Sequence, residues 1–365
     1  MSIISRHFCN LFLYGIIAFS GCDSMQKVFI SPADETIAYA GRIDSSSTEK
    51  VDLYWPGSSV RVDFEGDSLF AILKDEKGAN YFNVIIDQDS VRMLRLDTLT
   101  RRYLLAARLP EGTHSVELFK RTEWDKGKTT FFGFELIGNG MKVSKPKPRK
   151  RKMEFYGNSI TAGYAVDDLS GMDRPDSIYT NHYVSYASIV ARHYQAEYHT
   201  ICKSGIGVMI SWFPLTMPEL YDRLIPEDST SQWDFAQFRP DVVVVNLMQN
   251  DSWLVERPEH PQFQDKFGET KPTGDEIILA YRAFIEKVRV KHPSAHIICL
   301  LGNMDITQVG SLWPEYVEKA ISKLDDKRVY THVVPYKETP GHPNRDEQKV
   351  LAESLISFID ANIKW

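Results

Sequence analysis

The amino-acid sequence predicts an α/β protein in two parts: an antiparallel β-sandwich, then a three-layer α/β/α domain around a parallel sheet. Three observations support this fold class. The first part of the chain carries short apolar or alternating segments separated by turns that contain Gly, Pro and Asp. The later part alternates nearly continuous apolar segments with amphipathic ones, as parallel strands and their connecting helices do. A basic segment with two prolines separates the two patterns.

These patterns place the β-sandwich in residues 30–141, a basic linker in 142–152 and the α/β domain in 153–365. The linker contains "VSKPKPRKRK". Such a run could bind nucleic acid, but its prolines and its position between two folded parts favour a solvated connection. The five clearest strands of the sandwich are "SVRVDF", "SLFAIL", "YFNVIID", "HSVELFKR" and "TTFFGFELIG".

The α/β domain is predicted to contain five strands and four long helices. In such sheets, ligands bind beyond the carboxyl ends of the strands. Polar motifs follow four of the strands: "GNS" the first, "SGIG" the second, "QND" the third and "GHPN" the fifth. These loops should therefore meet at one edge of the sheet. The predicted strands lie in 152–157, 197–205, 241–251, 295–303 and 328–334, and the helices in 182–194, 274–292, 312–324 and 346–363.

Two cysteines lie within predicted buried strands. With the sheet order 2-1-3-4-5, the strands of Cys202 and Cys299 stand three positions apart, or roughly 14 Å at about 4.8 Å per strand. A disulfide needs Cα atoms within roughly 7 Å, so we expect none between them. Both thiols are predicted to pack as small hydrophobic groups.

The composition and the first residues of the chain indicate its possible partners and its location in the cell. The 365-residue chain has a formal net charge of −6, which argues against nucleic acid as a main partner. The opening "MSIISRHFCNLFLYGIIAFSGC" is typical of a secretory signal. Its ending "FSGC" fits a lipobox in which Cys22 is acylated; the alternative is a plain signal with an incidental cysteine. We therefore expect a lipoprotein signal in residues 1–22 and a lipid-anchored protein of the bacterial cell envelope.

The four polar loops contain the groups needed for nucleophilic catalysis. A serine hydroxyl such as Ser159 needs a base to remove its proton, and His342 is the candidate. Negative charge that develops on oxygen needs aimed donors: the N–H groups of Ser159 and Gly205 and the amide of Asn250. Taken singly, Ser159 could cap a helix and the Asn-Asp pair could form a turn. Their combination, each at its own strand end, favours catalysis.

The order of these motifs resembles that of the SGNH (GDSL) hydrolases. "GNSIT" resembles their serine block, with Ser159 as nucleophile, and "SGIG", "QND" and "GHPN" resemble their glycine, asparagine and histidine blocks. With a β-rich front domain, the chain resembles carbohydrate esterase family two, which pairs a jelly roll with an SGNH domain. The resemblance implies removal of acetyl groups from plant polysaccharides such as xylan or mannan through an acyl-serine, with no metal or organic cofactor.

One departure from the family pattern concerns the partner of the histidine. SGNH enzymes usually place Asp three residues before it, where this chain has Thr339. Three partners remain open: the Thr339 hydroxyl, the carboxylate of Glu338 as a third catalytic member, and a main-chain carbonyl. Our hypothesis is a Ser159–His342 dyad supported by a main-chain carbonyl.

Three aromatic residues near the loops are candidates for sugar binding, because apolar sugar faces stack on flat rings. They are Tyr164, Trp212 and Trp253, and ordinary packing is the alternative for each. Two other functions stay open for the chain. One is a non-catalytic glycan-binding surface lipoprotein, and the other is an SGNH esterase that acts on lipid or thioester.

Overall fold

The computed structural model of the protein describes residues 25–365. The predicted signal segment and Cys22 lie outside the described residues. Twelve antiparallel strands form the first part of the described chain. In chain order they are β1 Gln26–Ile30, β2 Ala38–Ala40, β3 Ile43–Asp44, β4 Val51–Leu53, β5 Ser59–Glu65, β6 Ser68–Asp75, β7 Tyr81–Ile86, β8 Ser90–Arg95, β9 Arg101–Ala107, β10 His114–Lys120, β11 Thr129–Gly138 and β12 Lys142–Ser144.

These strands form two sheets packed face to face, as the sequence predicted. One sheet has the order β3-β4-β11-β6-β9 with β1 on β11, and the other has the order β12-β5-β10-β7-β8 with β2 on β5. Alternate side chains such as Val60, Val62 and Phe64 point into the core between the sheets. The stretch of sequence that forms the sandwich is longer than predicted at both ends. It begins with β1 at Gln26 and ends with β12, which uses the first residues of the segment predicted as linker.

The second part of the chain is the predicted α/β/α domain. Three short 3-10 helices of this domain lie at Ser177–Tyr179, His182–Val184 and Asp305–Thr307, and a fourth, Trp124–Lys126, lies in the sandwich between β10 and β11. The regular elements are β13 Lys152–Gly157, α1 Ser159–Ala162, α2 Tyr186–His193, β14 Glu197–Cys202, α3 Met217–Leu220, β15 Val242–Asn246, α4 Gln249–Leu254, α5 Pro261–Phe267, α6 Gly274–Lys291, β16 His296–Leu301, α7 Trp313–Ser322, β17 Val329–Val333 and α8 Arg345–Asn362.

The five strands of this domain are parallel and follow the order β14-β13-β15-β16-β17. This confirms the predicted order 2-1-3-4-5. Helices cover both faces, so apolar residues of every strand are buried in one of two cores. Cys202 and Cys299 are buried and free on strands three positions apart.

The outward face of the second sandwich sheet packs against the α/β domain. Ile85 and Phe119 from that face join the core beneath α2, and Phe119 lies edge-on to Tyr183 with ring centroids 5.3 Å apart. A buried ion pair adds to the contact, since Arg42 Nη2 lies 2.5 Å from Glu154 Oε1 in β13. The two parts therefore share a packed interface. No helix among residues 25–365 is both long enough and apolar enough to cross a bilayer.

Candidate functional site

Ser159 is the first residue of α1 and stands immediately beyond the end of β13. The turn is tight: a Cβ atom on Gly157 would lie 1.9 Å from Thr161 Oγ1, so only glycine fits there. Asn158 caps the helix by accepting a hydrogen bond from the Ile160 N–H at 3.0 Å. The cap is therefore Asn158 and not Ser159, which leaves the serine hydroxyl available for other contacts.

His342 approaches Ser159 from the loop before α8. Its Nε2 lies 2.9 Å from Ser159 Oγ. The capping box of Asn344 and Glu347 fixes the start of α8 two residues later. Gln348 then ties this helix to α1, because its side chain donates to the Ile160 carbonyl at 2.9 Å. The serine and the histidine are thus held at hydrogen-bonding distance by two connected helices.

The partner of His342 is a carboxylate that the sequence analysis did not consider. His342 Nδ1 lies 2.7 Å from Asp173 Oδ2, and the His342 main-chain N–H also donates to that oxygen at 2.9 Å. The hypothesis of a main-chain carbonyl is therefore wrong. Glu338 is exposed and Thr339 bonds to Glu347, so neither residue takes the position beside Nδ1. A carboxylate can only accept, so Nδ1 carries the proton and Nε2 accepts from Ser159.

Asp173 belongs to a loop between α1 and α2 that is braced by its own hydrogen bonds. Asp168 accepts from the Arg174 guanidinium at 2.6 Å and from the Ser170 hydroxyl at 2.7 Å. Burial raises the pKa of Asp173, but hydrogen bonds and charge from His342 outweigh it, so the pKa lies below its usual value. Asp173 is therefore an ionised acceptor facing the ring.

The predicted oxyanion donors Gly205 and Asn250 follow the two strands that flank β13. Gly157, the last residue of β13, is in register with Cys202 of β14 and Asn246 of β15. The segments that carry Gly205 and Asn250 therefore leave the sheet at the same level, on either side of the end of β13. Gly205 has a φ of 84°, and a Cβ atom there would lie 3.2 Å from the Phe213 ring. A bare, accessible N–H at this position requires glycine.

The amide of Asn250 is oriented by two hydrogen bonds. Its Oδ1 accepts from Trp212 Nε1 at 3.1 Å, and its Nδ2 donates to the Ile206 carbonyl at 2.8 Å. Since Nδ2 carries two hydrogens, one remains for a ligand. The next residue, Asp251, accepts from the N–H groups of Val208 and Met209, and burial raises its pKa to about 6. The hydrogen bonds of Asn250 and Asp251 thus fix the position of residues 205–209, which we call the glycine loop.

The sandwich also reaches this site, through two residues just after β10, Arg121 and Glu123. Glu123 is 2% exposed and accepts from the Ser204 N–H at 2.5 Å and from the Ser204 hydroxyl at 2.6 Å. Ser204 directly precedes Gly205, so the sandwich anchors the glycine loop. Arg121 pairs with Asp167 at 2.8 Å and thereby holds the base of the loop that carries Asp173.

The three aromatic candidates have different surroundings. The Tyr164 ring lies against His342 with centroids 4.8 Å apart, and its hydroxyl donates to the Asp173 carbonyl at 3.3 Å. Trp253 donates to Asp305 at 2.8 Å and packs against the core. Trp212 is 37% exposed beside Asn250, which makes it the aromatic residue best placed to meet a ligand.

Two kinds of residue escaped the sequence analysis. Asp173 stands in "GMDRPD", a polar loop without periodicity, and is 169 positions from the histidine that it contacts. Glu123 lies in the other domain, where no motif points to the glycine loop. The only signal in the sequence was the polar length of the segment after "GNSITAGY", which favours a functional loop over a plain connection.

Comparison with protein families places both parts of the chain. Residues 39–146 match the model described as "Carbohydrate esterase 2 N-terminal". Residues 155–349 match the model described as "GDSL-like Lipase/Acylhydrolase family". The two matches meet at the linker, and the second contains Ser159, Asp173, Gly205, Asn250 and His342.

Three similar proteins illustrate the match. The chain is 32% identical over 341 residues to "Cellulase/esterase CelE" of Acetivibrio thermocellus, which covers 90% of this chain and 40% of that protein. It is 24% identical to an "Acetylxylan esterase / glucomannan deacetylase" of Cellvibrio japonicus, over 97% of this chain and 98% of that one. The solved family two carbohydrate esterase from Clostridium thermocellum, in complex with cellohexaose, is 31% identical with a TM-score of 0.78, over 89% and 98% of the two chains.

Proposed function

Since the chain belongs to family two of the carbohydrate esterases and is therefore a carboxylic ester hydrolase, we propose that it removes acetyl groups from plant polysaccharides such as xylan or mannan. The observation that carries this proposal is the chain of hydrogen bonds from Ser159 through His342 to Asp173. A glycan-binding protein would have no need of this arrangement. The family membership favours acetylated sugars over lipids or thioesters.

The proposed reaction proceeds in two halves. Ser159 Oγ attacks the acetyl carbonyl carbon while its proton passes to His342 Nε2, and Asp173 stabilises the imidazolium. The N–H groups of Ser159 and Gly205 and the Asn250 amide hold the negative oxygen. The C–O bond to the sugar then breaks, and Nε2 returns the proton to the sugar oxygen. Water, deprotonated by the same nitrogen, cleaves the acetyl-serine to acetate and free serine.

A direct test measures acetate release from acetylated xylan and acetylated glucomannan, and fatty-acid release from an acylated lipid, by the purified chain. We expect release from at least one glycan at a rate that Ser159→Ala abolishes. Specificity for the lipid, with no release from any acetylated glycan, would contradict the proposed substrate class while leaving the hydrolase assignment intact.

Glu123 should influence catalysis from the sandwich. Without its carboxylate, Ser204 loses both anchors and the Gly205 N–H is free to shift, and a displacement of about 1 Å costs up to roughly a hundredfold in rate. We expect Glu123→Ala to lower kcat by about ten- to a hundredfold with a smaller change in KM. The measurement is steady-state kinetics on 4-nitrophenyl acetate.

The control for this variant is Glu65→Ala, which removes an acidic residue that pairs with Lys142 at 2.8 Å where β5 meets the edge strand β12. Glu65→Ala should keep wild-type kinetics. If Glu123→Ala were equally active, the sandwich would not position the glycine loop.

We further propose that the protein is secreted and anchored through lipid on Cys22, in the bacterial cell envelope. The basic, apolar and small-residue order of the first segment supports this, as does "FSGC". Since β1 begins at Gln26, such an anchor would hold the enzyme close to the membrane. In a bacterial host, labelled fatty acid should enter the protein, and Cys22→Ala should abolish the label. Labelling that persists in Cys22→Ala would exclude this anchor.

A further inference from the structure

A cleft unrelated to the catalytic loops separates the sandwich from the α/β domain. Its volume is about 970 Å³. The floor is the outward face of the second sandwich sheet, one wall is the end of α2, and the roof is the basic linker. Because the linker leads into the start of β13, this cleft lies at the opposite edge of the parallel sheet from Ser159. We call it the linker cleft; its charged lining includes Arg61, Asp63, Glu117, Lys147, Arg149 and Arg192.

Arg61 is the unusual residue of the linker cleft. It is only 8% exposed, yet its guanidinium has no hydrogen-bond or ion-pair partner among residues 25–365, and its Nε is wholly buried. An unpaired buried charge is costly, whereas a bound anion would offset that cost. Burial and the neighbouring charge of Arg149 lower the pKa of Arg61, and together they outweigh the opposite effect of nearby carboxylates such as Glu117.

Two other arginines of the lining make contacts with the protein, whereas Lys147 and Lys150 are exposed. Arg149 lies 3.3 Å from Glu117 Oε2, and Glu117 also accepts from Ser59 at 2.7 Å. Arg192 donates to the Tyr183 carbonyl at 2.6 Å. Arg61 is therefore the buried arginine of the lining that makes no such contact, and Arg149 uses only its Nη2 group, so its other donors remain free. The planar guanidinium of an arginine suits a carboxylate.

Acidic groups in the same lining argue for more than a simple anion. Asp63, two residues from Arg61 on β5, has an Oδ1 that is buried without a partner. Asp63 and Glu117 would repel a bare anion, but they would accept hydrogen bonds from hydroxyl groups. A ligand with one carboxylate and several hydroxyls satisfies both kinds of group, and the volume of the cleft is sufficient for a small oligosaccharide.

We propose that the linker cleft is a second, non-catalytic binding site for an acidic saccharide, whose carboxylate pairs with Arg61 and Arg149. This site is independent of the ester chemistry at Ser159. It would allow the enzyme to hold a polysaccharide by its uronate residues while acetyl groups are removed elsewhere.

Titration calorimetry of the full chain tests this proposal with three probes: a xylo-oligosaccharide that bears one glucuronate, its carboxyl-reduced counterpart and inorganic phosphate. We expect the acidic sugar to bind at least about tenfold more tightly than the reduced one, the difference that one charge-assisted hydrogen bond supplies. Arg61→Met should abolish this preference. Arg95→Met, which removes an exposed arginine on β8, should preserve it.

Acetylesterase activity of each variant serves as the check of folding, and Arg149→Met replaces Arg61→Met should the latter fail to fold. Equal binding of the two sugars, or a preference that survives both substitutions, would overturn the proposal. Phosphate that binds as tightly as the acidic sugar and displaces it would overturn the saccharide specificity.

Discussion

Ser159→Ala is expected to lose at least about 10⁴-fold in kcat on 4-nitrophenyl acetate, and His342→Ala a comparable factor. Without Oγ no atom can form the acyl bond, and without Nε2 no base lies within 2.9 Å of that hydroxyl. Initial rates at saturating substrate measure the loss.

Ser322→Ala, on the last turn of α7, is the matched control and should retain wild-type activity. The melting temperature of Ser159→Ala should stay close to that of the wild type, because among the described residues its hydroxyl hydrogen-bonds only to His342. Ester hydrolysis by Ser159→Ala at the wild-type rate would exclude the serine as nucleophile.

Asp173→Asn is the second large effect that we expect, a loss of about 10³- to 10⁴-fold in kcat with KM nearly unchanged. An amide in place of the carboxylate removes the charge that stabilises the imidazolium, and its NH₂ group can hold the wrong tautomer of His342. Steady-state kinetics across substrate concentration separate the effect on kcat from that on KM.

Two residues beside the histidine in sequence provide the controls. Glu338→Gln changes an exposed carboxylate and Thr339→Ala removes a hydroxyl that bonds to Glu347, so each should keep most of the wild-type kcat. If Glu338→Gln lost several orders of magnitude while Asp173→Asn remained active, the acid of the site would be Glu338 and our assignment would be wrong.

The fold was predictable where the apolar residues follow a clear pattern along the chain. The segments 152–157 and 274–292 read as a buried strand and a long amphipathic helix, and β13 and α6 occupy almost the same residues. The sheet order followed from the rules for doubly wound sheets. Short elements were not predictable: the predicted strand 241–251 extends through "QND", but β15 ends at Asn246, Met248 has a φ of 75°, and α4 starts at Gln249.

The candidate site was predictable to the extent that its residues sit at strand ends. Ser159, Gly205, Asn250 and His342 each follow a strand or precede a helix, so topology alone places their loops together. Asp173 comes from a loop whose path is set by Asp168, Arg174 and contacts with the sandwich, and no local pattern encodes that path. The partner of His342 is a neighbour only in space, since Asp173 is 169 positions away in the sequence.

Labelling with a fluorophosphonate, followed by peptide mapping, tests the central claim most directly, because this reagent phosphonylates a serine that a neighbouring base activates. We predict a single labelled peptide containing Ser159, loss of acetylesterase activity in proportion to labelling, and far slower labelling in His342→Ala. Complete labelling of Ser159 with acetylesterase activity retained, or inactivation with the label on another residue, would contradict the account.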